Sequence, residues 1–476
     1  MKMNRRQFIY GSAVAGVAWS ARSWSQVAGA NNDIRVAVVG FGGRGKDHIS
    51  GFSKLPGVRL AGLCDADAAI IDRELNRLTA SSNIKSFTDI RKLLEDKDID
   101  VISIATPNHW HSLGAIWSVQ AGKDVYVEKP VSHNVFEGRK VVEAARKYQK
   151  IVQTGTQVRS NPGVQEAIQY IHDGHLGKIK VVRGLCYKRR ASIGQVSGPQ
   201  EPPKSVDYNL WCGPAPLEPL TRKNLHYDWH WVWSTGNGDL GNQGIHQMDI
   251  ARWALKQPAL SPSVLSIGGR LGYEDDGQTP NSQIIFHDYP EAPLIFEVRG
   301  LPSSANEKEM GDYRGAKVGN VVDCEGGYVL IPSYDSAIVY DKTGAQIKKF
   351  QGGGNHYENF IKAVRSRKHS DLNADILEGH LSSALCHTGN ISYRLGAAQS
   401  PDEIREKIKG RHEAMETFGR LQEHLAANQV NLNHSKLTLG EPLKMDPKTE
   451  RFPGHAAANK MLTRDYRKPF VVPEHV

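Results

Sequence analysis

Three observations predict an α/β protein that begins with a parallel, doubly wound sheet. An apolar, β-branched run from Ile34 to Val39 passes directly into Gly40-x-Gly42-x-x-Gly45 and then into a helix-like stretch. A second strand-like run, VRLAGLCD, ends in Asp65, twenty residues after Gly45. Beyond it, strand-length apolar runs keep alternating with helical ones, the pattern of parallel strands joined by crossover helices. With 476 residues and 39% hydrophobic content, the chain is long enough for two packed domains.

In chain order, residues 1–30 read as an export signal rather than as structure. They have a basic start, a moderately apolar run from Phe8 to Ala21, and an Ala28-x-Ala30 ending. Arg5-Arg6, followed by Gln7-Phe8-Ile9, resembles a twin-arginine signal. The expectation is a periplasmic or otherwise exported protein, handled by the twin-arginine machinery and folded beforehand. Cys64, Cys186, Cys212, Cys324 and Cys386 are odd in number and widely spaced, which suits folding in a reducing compartment. Removing Lys2, Arg5, Arg6 and Arg22 with the signal takes the formal charge from +9 to +5 and leaves no long Lys/Arg block. The basic balance therefore reads as solvated surface and argues against a nucleic-acid partner. No apolar run approaches the roughly 20 residues of a membrane span.

Residues 31–157 are expected to form a Rossmann domain that binds a dinucleotide. Gly40 permits the tight turn, Gly42 lets backbone approach a pyrophosphate, and Gly45 lets the helix pack on the strand. Gly43 and Arg44 complete this loop, and the following helix N-terminus turns unpaired N–H groups toward phosphate. Asp65 stands where a carboxylate grips ribose hydroxyls and repels a 2′-phosphate, so NAD is read over NADP. The strand in DIDVISIATPNHWH delivers Thr106, Pro107, Asn108 and His111 to the same sheet edge. The next two deliver Glu128-Lys129 and Gln157. His109 and His111 lie two apart without a third ligand, so a loop over the cofactor edge is read there and no metal site.

Residues 158–400 are expected to form a second, α/β substrate domain. In NLHYDWHWVW, Trp229 and Trp233 are candidate faces for stacking on sugar C–H surfaces, with core packing or a subunit contact as the alternatives. Lys188-Arg189-Arg190 reads as a solvated face. In GDLGNQGIHQMDIARWAL a single helix would put Asn242 and His246 one turn apart, with Asp249 and Trp253 following. Residues 401–476 read as an amphipathic helix and an irregular tail.

Taken together, GFGGRG, CDAD, ATPNHWH, EKP and GDLGNQGIHQMDIARWAL resemble the Gfo/Idh/MocA family of sugar and cyclitol oxidoreductases. HYENFIKAVRSRK and ILEGHLSSALCHTGNISYRLG are similar to its later helices. The resemblance runs from about Ile34 to Gly396. It implies a C-terminal α/β domain with a large, mostly antiparallel open sheet that often serves as an interface of homo-oligomers. It also implies Lys129 and His246 as the catalytic pair; Asn242, beside His246, Gln157, at the sheet edge, and Trp229 and Trp233, in the aromatic run, are the candidates for the substrate side. The family often carries an aspartate where this chain has Asn242. Asp239 or Asp249 could compensate for it, or Lys129 could carry more of the proton work.

Three functions are compatible with that resemblance. The first is oxidation of a secondary hydroxyl of a sugar, sugar derivative or cyclitol with a tightly retained cofactor. The second is a redox-neutral, NAD-dependent glycosidase working by oxidation, elimination, hydration and re-reduction. The third is a non-catalytic, cofactor-carrying binding protein.

Overall fold

The computed structural model describes residues 33–78 and 83–476; the expected export signal, with Arg5 and Arg6, lies outside the described residues. The first sheet comprises β1 (Ile34–Val39), β2 (Val58–Cys64), β3 (Lys85–Phe87), β4 (Val101–Ile104), β5 (Asp124–Val127) and β6 (Val152–Thr154). Its order is β3-β2-β1-β4-β5-β6 and every pairing is parallel. Strands β4 and β5 are buried along their whole length. Helices cover both faces, which is why VISI and DVYV carry so little alternation. The chain order reverses between β1 and β4, and that switch point opens a crevice at the carboxyl ends of the strands.

The second sheet has eleven strands. Its main path is β14-β13-β12-β11-β7-β10-β9-β8-β16-β15, and β17 pairs with β8. The ranges are β7 (Ile179–Tyr187), β8 (Ser263–Gly269), β9 (Ser282–Asp288), β10 (Pro293–Arg299), β11 (Val318–Cys324) and β12 (Gly327–Ile331). The rest are β13 (Ser336–Asp341), β14 (Gln346–Gln351), β15 (Ala397–Gln399), β16 (Leu437–Leu439) and β17 (Leu443–Lys444). All pairings are antiparallel except that of β10 with β7. The main core lies between this sheet and the helices Pro162–His172, Gly244–Ala254 and Ile376–Leu395.

One sequence expectation changes. The stretch around His246 is not one helix: Gly238–Asn242 and Gly244–Ala254 are separated at Gln243, and the His246 N–H bonds tightly to the Gln243 carbonyl at 3.2 Å. Gly241 and Gly244 flank the break, each disfavouring helix by roughly 1 kcal/mol relative to alanine. Gly244 is also wedged against Phe296, whose ring a Cβ would meet at 2.9 Å.

Residues 401–476 have the amphipathic helical stretch and the irregular end that the sequence suggests, and both pack on the two domains. The helices Pro401–Ile408 and His412–Ala427 lie over the outer face of β7, β8, β9 and β10. β16 and β17 add to the large sheet, and Phe470 and Val472 enter the core of the first domain. None of these long-range pairings leaves a local period in the sequence.

Candidate active site

The glycine loop has the shape of a phosphate cradle. Gly40 sits at φ +78°, and a Cβ there would lie 2.7 Å from the Thr106 backbone nitrogen. A Cβ on Gly45 would lie 2.0 Å from the Gly40 carbonyl, whereas Gly43 faces open space. The helix Gly45–Ser53 begins without a side-chain cap; the Lys46 and Asp47 N–H groups bond the Gly43 and Arg44 carbonyls at 3.1 and 2.9 Å, so the helix dipole and the loop above them face the cleft. Thr106 lines the same cleft, and its Oγ1 is buried with no partner among the described residues.

Asp65 accepts from the Phe41 N–H at 3.1 Å and from the Asp67 N–H at 3.0 Å. It therefore locks the loop, and each oxygen keeps a further lone pair for a ribose hydroxyl. Burial raises its pKa against those two bonds. The cleft, about 330 Å³, is lined by Gly40, Gly42, Gly43, Arg44, Asp65, Thr106, Pro107, Asn108, His111, Glu128, Lys129 and Asn242. An unmatched donor, an open glycine cradle and a carboxylate at the far end suit a dinucleotide.

Glu128 organises the other end. Its Oε1 accepts from Arg44 Nε at 3.2 Å and Gln157 Nε2 at 2.9 Å and faces His48 Nε2 at 3.1 Å; its Oε2 accepts from the Lys129 N–H at 3.1 Å. Burial alone would raise its pKa, but the His48 bond and the charges of Lys129 and Arg44 hold it well below the carboxylate range.

Lys129 Nζ donates to the Asn242 backbone carbonyl at 2.9 Å. Burial lowers the lysine pKa, Glu128 opposes the shift, and Arg44 and Lys188 reinforce it. His246 is buried, its ring 5.1 Å from that of Tyr334, and its Nδ1 has no partner among the described residues. Burial and then the Lys129 charge bring it down to about 3. It is not among the residues lining the cleft. Neither acid considered as a substitute for the missing aspartate reaches it. Asp239 is held by Arg190 at 2.6 and 2.9 Å, and Asp249 by Arg159 at 2.7 and 2.9 Å.

The second domain supplies the opposite wall through Leu210, Trp211, His226, Tyr227, Trp229 and His230. This strap is tied to the first domain by Ala68 N–H to Ser205 O, Asp207 N–H to Ala66 O (both 2.9 Å) and His226 to Asp67 at 3.0 Å. Trp110 Nε1 adds a bond to Leu210 O at 2.9 Å. Arg467, in the tail, grips it from outside through Asn209 Oδ1 at 2.6 Å and Ala215 O at 3.0 Å.

His109 and His111 both turn to backbone carbonyls, of Trp211 and Thr235, and of Pro130 and Thr106. Three expected substrate residues sit differently from their sequence reading. Gln157 is bonded to Glu128 and Tyr126 and does not line the cleft. Trp233 lines a separate cavity of about 710 Å³ and carries Arg394 over its ring at 4.9 Å. Trp229 does reach the cleft but is buried, with the His230 ring stacked on it at 3.6 Å. Of the wall residues, Leu210, Trp211, His226, Tyr227 and His230 were not singled out by spacing; the last three had only the aromatic run that contains them as a signal.

Comparison with known proteins agrees with this architecture. Residues 34–156 match the Gfo/Idh/MocA oxidoreductase family, NAD-binding Rossmann fold, and residues 165–295 match its C-terminal α/β domain. A glycosyl hydrolase family 109 protein of Shewanella baltica is 33% identical over 148 residues, 30% of this chain and 32% of the relative. The chain thus spans about a third of the length of the curated relatives it matches. The WlbA dehydrogenase of Bordetella pertussis, solved with NADH and UDP-GlcNAcA, superposes with a TM-score of 0.54. That match covers 74% of this chain and 94% of the other, at 20% identity. For the aldose-aldose oxidoreductase of Caulobacter crescentus, solved with glycerol, the TM-score is 0.56 over 75% of this chain and 97% of the other, at 16% identity. These two likenesses show the fold.

Proposed function

The chain belongs to the Gfo/Idh/MocA oxidoreductase family, and from that premise we propose that it oxidises a secondary hydroxyl of a sugar, sugar derivative or cyclitol, with a nicotinamide cofactor that it retains. The carrying observation is Lys129, whose amine lies in the same cleft as the glycine loop with its pKa lowered by burial. A lysine so placed gives up its proton more readily than an exposed one, and its free amine can then take a hydroxyl proton. A bound nicotinamide would supply the acceptor for the hydride leaving carbon. Glu128 fixes the Lys129 backbone through its N–H, and the Asn242 carbonyl aims Nζ. His246, neutral above about pH 4, is the second group proposed to handle the proton.

Asp65 supports NAD over NADP by repelling a 2′-phosphate. The strap over the cleft, tied at Ala66, Asp67 and Ala68, supports retention. Retention suits export by the twin-arginine route, which belongs to the same reading, as does a homo-oligomeric state. The test is to purify the protein, denature it and identify the released nucleotide. The intact protein is then incubated with a panel of hexoses, hexosamines, methyl glycosides and cyclitols while nicotinamide absorbance is followed. Bound NAD, and its reduction by a panel member, is expected; protein that yields no nucleotide and binds none overturns the reading.

A second reading, the redox-neutral glycosidase, draws on the printed name of the Shewanella baltica relative. Transient oxidation acidifies the neighbouring C–H, the glycosidic bond eliminates, water adds, and the ketone is reduced back. Its signature is aglycone release without net nicotinamide reduction.

A further inference from the structure

His230 is an imidazole that opens on the cleft, and its chemistry follows from its surroundings. Its ring lies nearly parallel to Trp229, 21° between planes and 3.6 Å between centroids, so it covers a face that the tryptophan would otherwise offer. It shares the cleft with Lys129 and feels the lysine charge. His230 Nδ1 lies 2.5 Å from the Tyr227 carbonyl. A carbonyl only accepts, so Nδ1 carries the proton and Nε2 of the neutral ring carries a lone pair. Burial, with the nearby Lys129 and Arg190 charges and against the Tyr227 bond, takes the ring down to about 3, so it is neutral at ordinary pH.

Nε2 has no hydrogen-bond partner among the described residues, and it is not one of the sealed-off polar atoms. His246 differs in place: it lies outside the cleft lining, and its Nδ1 is buried without a partner. The segment carrying His230 is held after the ring by Gln278 N–H to Trp231 O and Trp233 N–H to Gln278 Oε1, both 2.8 Å, and before it by two side-chain ties. His226 pairs with Asp67 at 3.0 Å, and the Tyr227 hydroxyl accepts from Arg190 at 3.0 Å, itself clamped by Asp239.

Two acceptors in one cleft constrain the substrate. A hydroxyl has one proton to give. If neutral Lys129 takes the proton of the reacting hydroxyl, His230, which can only accept, needs a donor from a different hydroxyl. We propose that His230 Nε2 accepts a hydrogen bond from a second hydroxyl of the substrate, close to the one oxidised, so that the site selects polyols over isolated secondary alcohols. This rests on the oxidoreductase reading above and adds a substrate-binding residue to it.

The test uses the nucleotide-loaded protein, a sugar that the wild type oxidises, and the monodeoxy analogues of that sugar. His230→Phe keeps a ring on Trp229 and removes the nitrogen. It is expected to lose on the order of 10-fold in kcat/KM, mostly through KM, as for one neutral hydrogen bond. One deoxy analogue should cost the wild type a similar factor and cost His230→Phe nothing further, because the two changes remove the same bond. His230→Gln, whose amide oxygen accepts, should recover part of the loss. Nucleotide content should be unchanged in both variants, which also reports folding.

Independently of turnover, the ¹⁵N resonance of His230 Nε2 in the wild type should be that of an unprotonated nitrogen and should move when the sugar binds. A protonated Nε2, or His230→Phe with wild-type KM and wild-type discrimination against the deoxy analogues, overturns this inference and leaves the oxidoreductase reading intact. If the wild type turns over no sugar of the panel, the parent reading falls and this one with it. Should His230→Phe fail to fold, the nitrogen resonance decides.

Discussion

Lys129 is pulled two ways, down by burial and up by Glu128, and burial wins. The rate should therefore rise with pH as the amine loses its proton, with that limb below the ordinary lysine range. Glu128→Gln removes the charge that opposes the shift, so the limb should move to still lower pH; a limb that moves upward would contradict this electrostatic account. Lys129→Met should cost about 10²–10⁴-fold in turnover with nucleotide content unchanged, the usual size of general acid–base help. His246→Ala should cost a comparable factor. A variant that loses only thermal stability would instead make His246 a packing partner of Tyr334. Asp65→Ser should weaken NAD and narrow its advantage over NADP, and a wild type that prefers NADP would refute the reading of Asp65. At this scale the sequence was readable where a motif dictates backbone shape, as at Gly40, Gly45 and Lys129. It was unreadable where a side chain's seat depends on distant packing. Nothing local says that His230 covers Trp229, or that Trp233 faces Arg394 in another cavity.

Strand–helix alternation in the first domain was legible because each unit is local and the central strands are buried on both faces. The segment from Ser205 to His230 was not, since its order comes from contacts with Ala66, Asp67, Ala68 and Trp110 rather than from its own periodicity. The anchorage of the tail was not legible for the same reason: Phe470 finds Trp110 at 5.5 Å and Trp117 at 6.3 Å, more than three hundred residues away in sequence. Strap and tail make a prediction together. Arg467→Ala combined with His226→Ala removes the outer grip and the Asp67 tie, while the catalytic groups stay in place. Hydrogen bonds to charged groups are worth about 1.5–3 kcal/mol, so nucleotide release should accelerate by on the order of 10-fold or more. Release is measured by chasing bound nucleotide with excess unlabelled NAD. An unchanged release rate would mean that the strap does not retain the cofactor.

Across the whole molecule, burial has left many ionisable groups without charge. All five cysteines are buried and unpaired, which agrees with folding in a reducing compartment before the proposed export; replacing Arg5 and Arg6 by lysine should hold the precursor in the cytoplasm. The buried histidines have a larger consequence. Burial is the leading cause that takes His109, His246, His287 and His387 down to about 3, and His356 to about 4. In an unfolded chain each would titrate near 6.5. Between those values the unfolded state binds the extra protons, so stability rises with pH there and is lost as pH falls from about 6.5 toward 4. Each such histidine removes about 1.4 kcal/mol per pH unit inside that window. Three of them, over two pH units, remove about 8 kcal/mol, comparable with the 5–15 kcal/mol that holds a typical domain folded. Glu128 and Glu297, whose pKa values are depressed by His48 and Arg420 among others, act in the same direction at lower pH. The urea midpoint should therefore be nearly level from pH 8 to 7 and fall steeply from 6.5 to 4.5. His287 tests the cause because it is fully buried in β9 and does not line the cofactor cleft. His287→Gln should flatten the slope by about one proton while leaving nucleotide binding alone. A midpoint that stays level down to pH 4.5 would show that these rings take up protons in place, with water reaching them, and that burial does not keep them neutral.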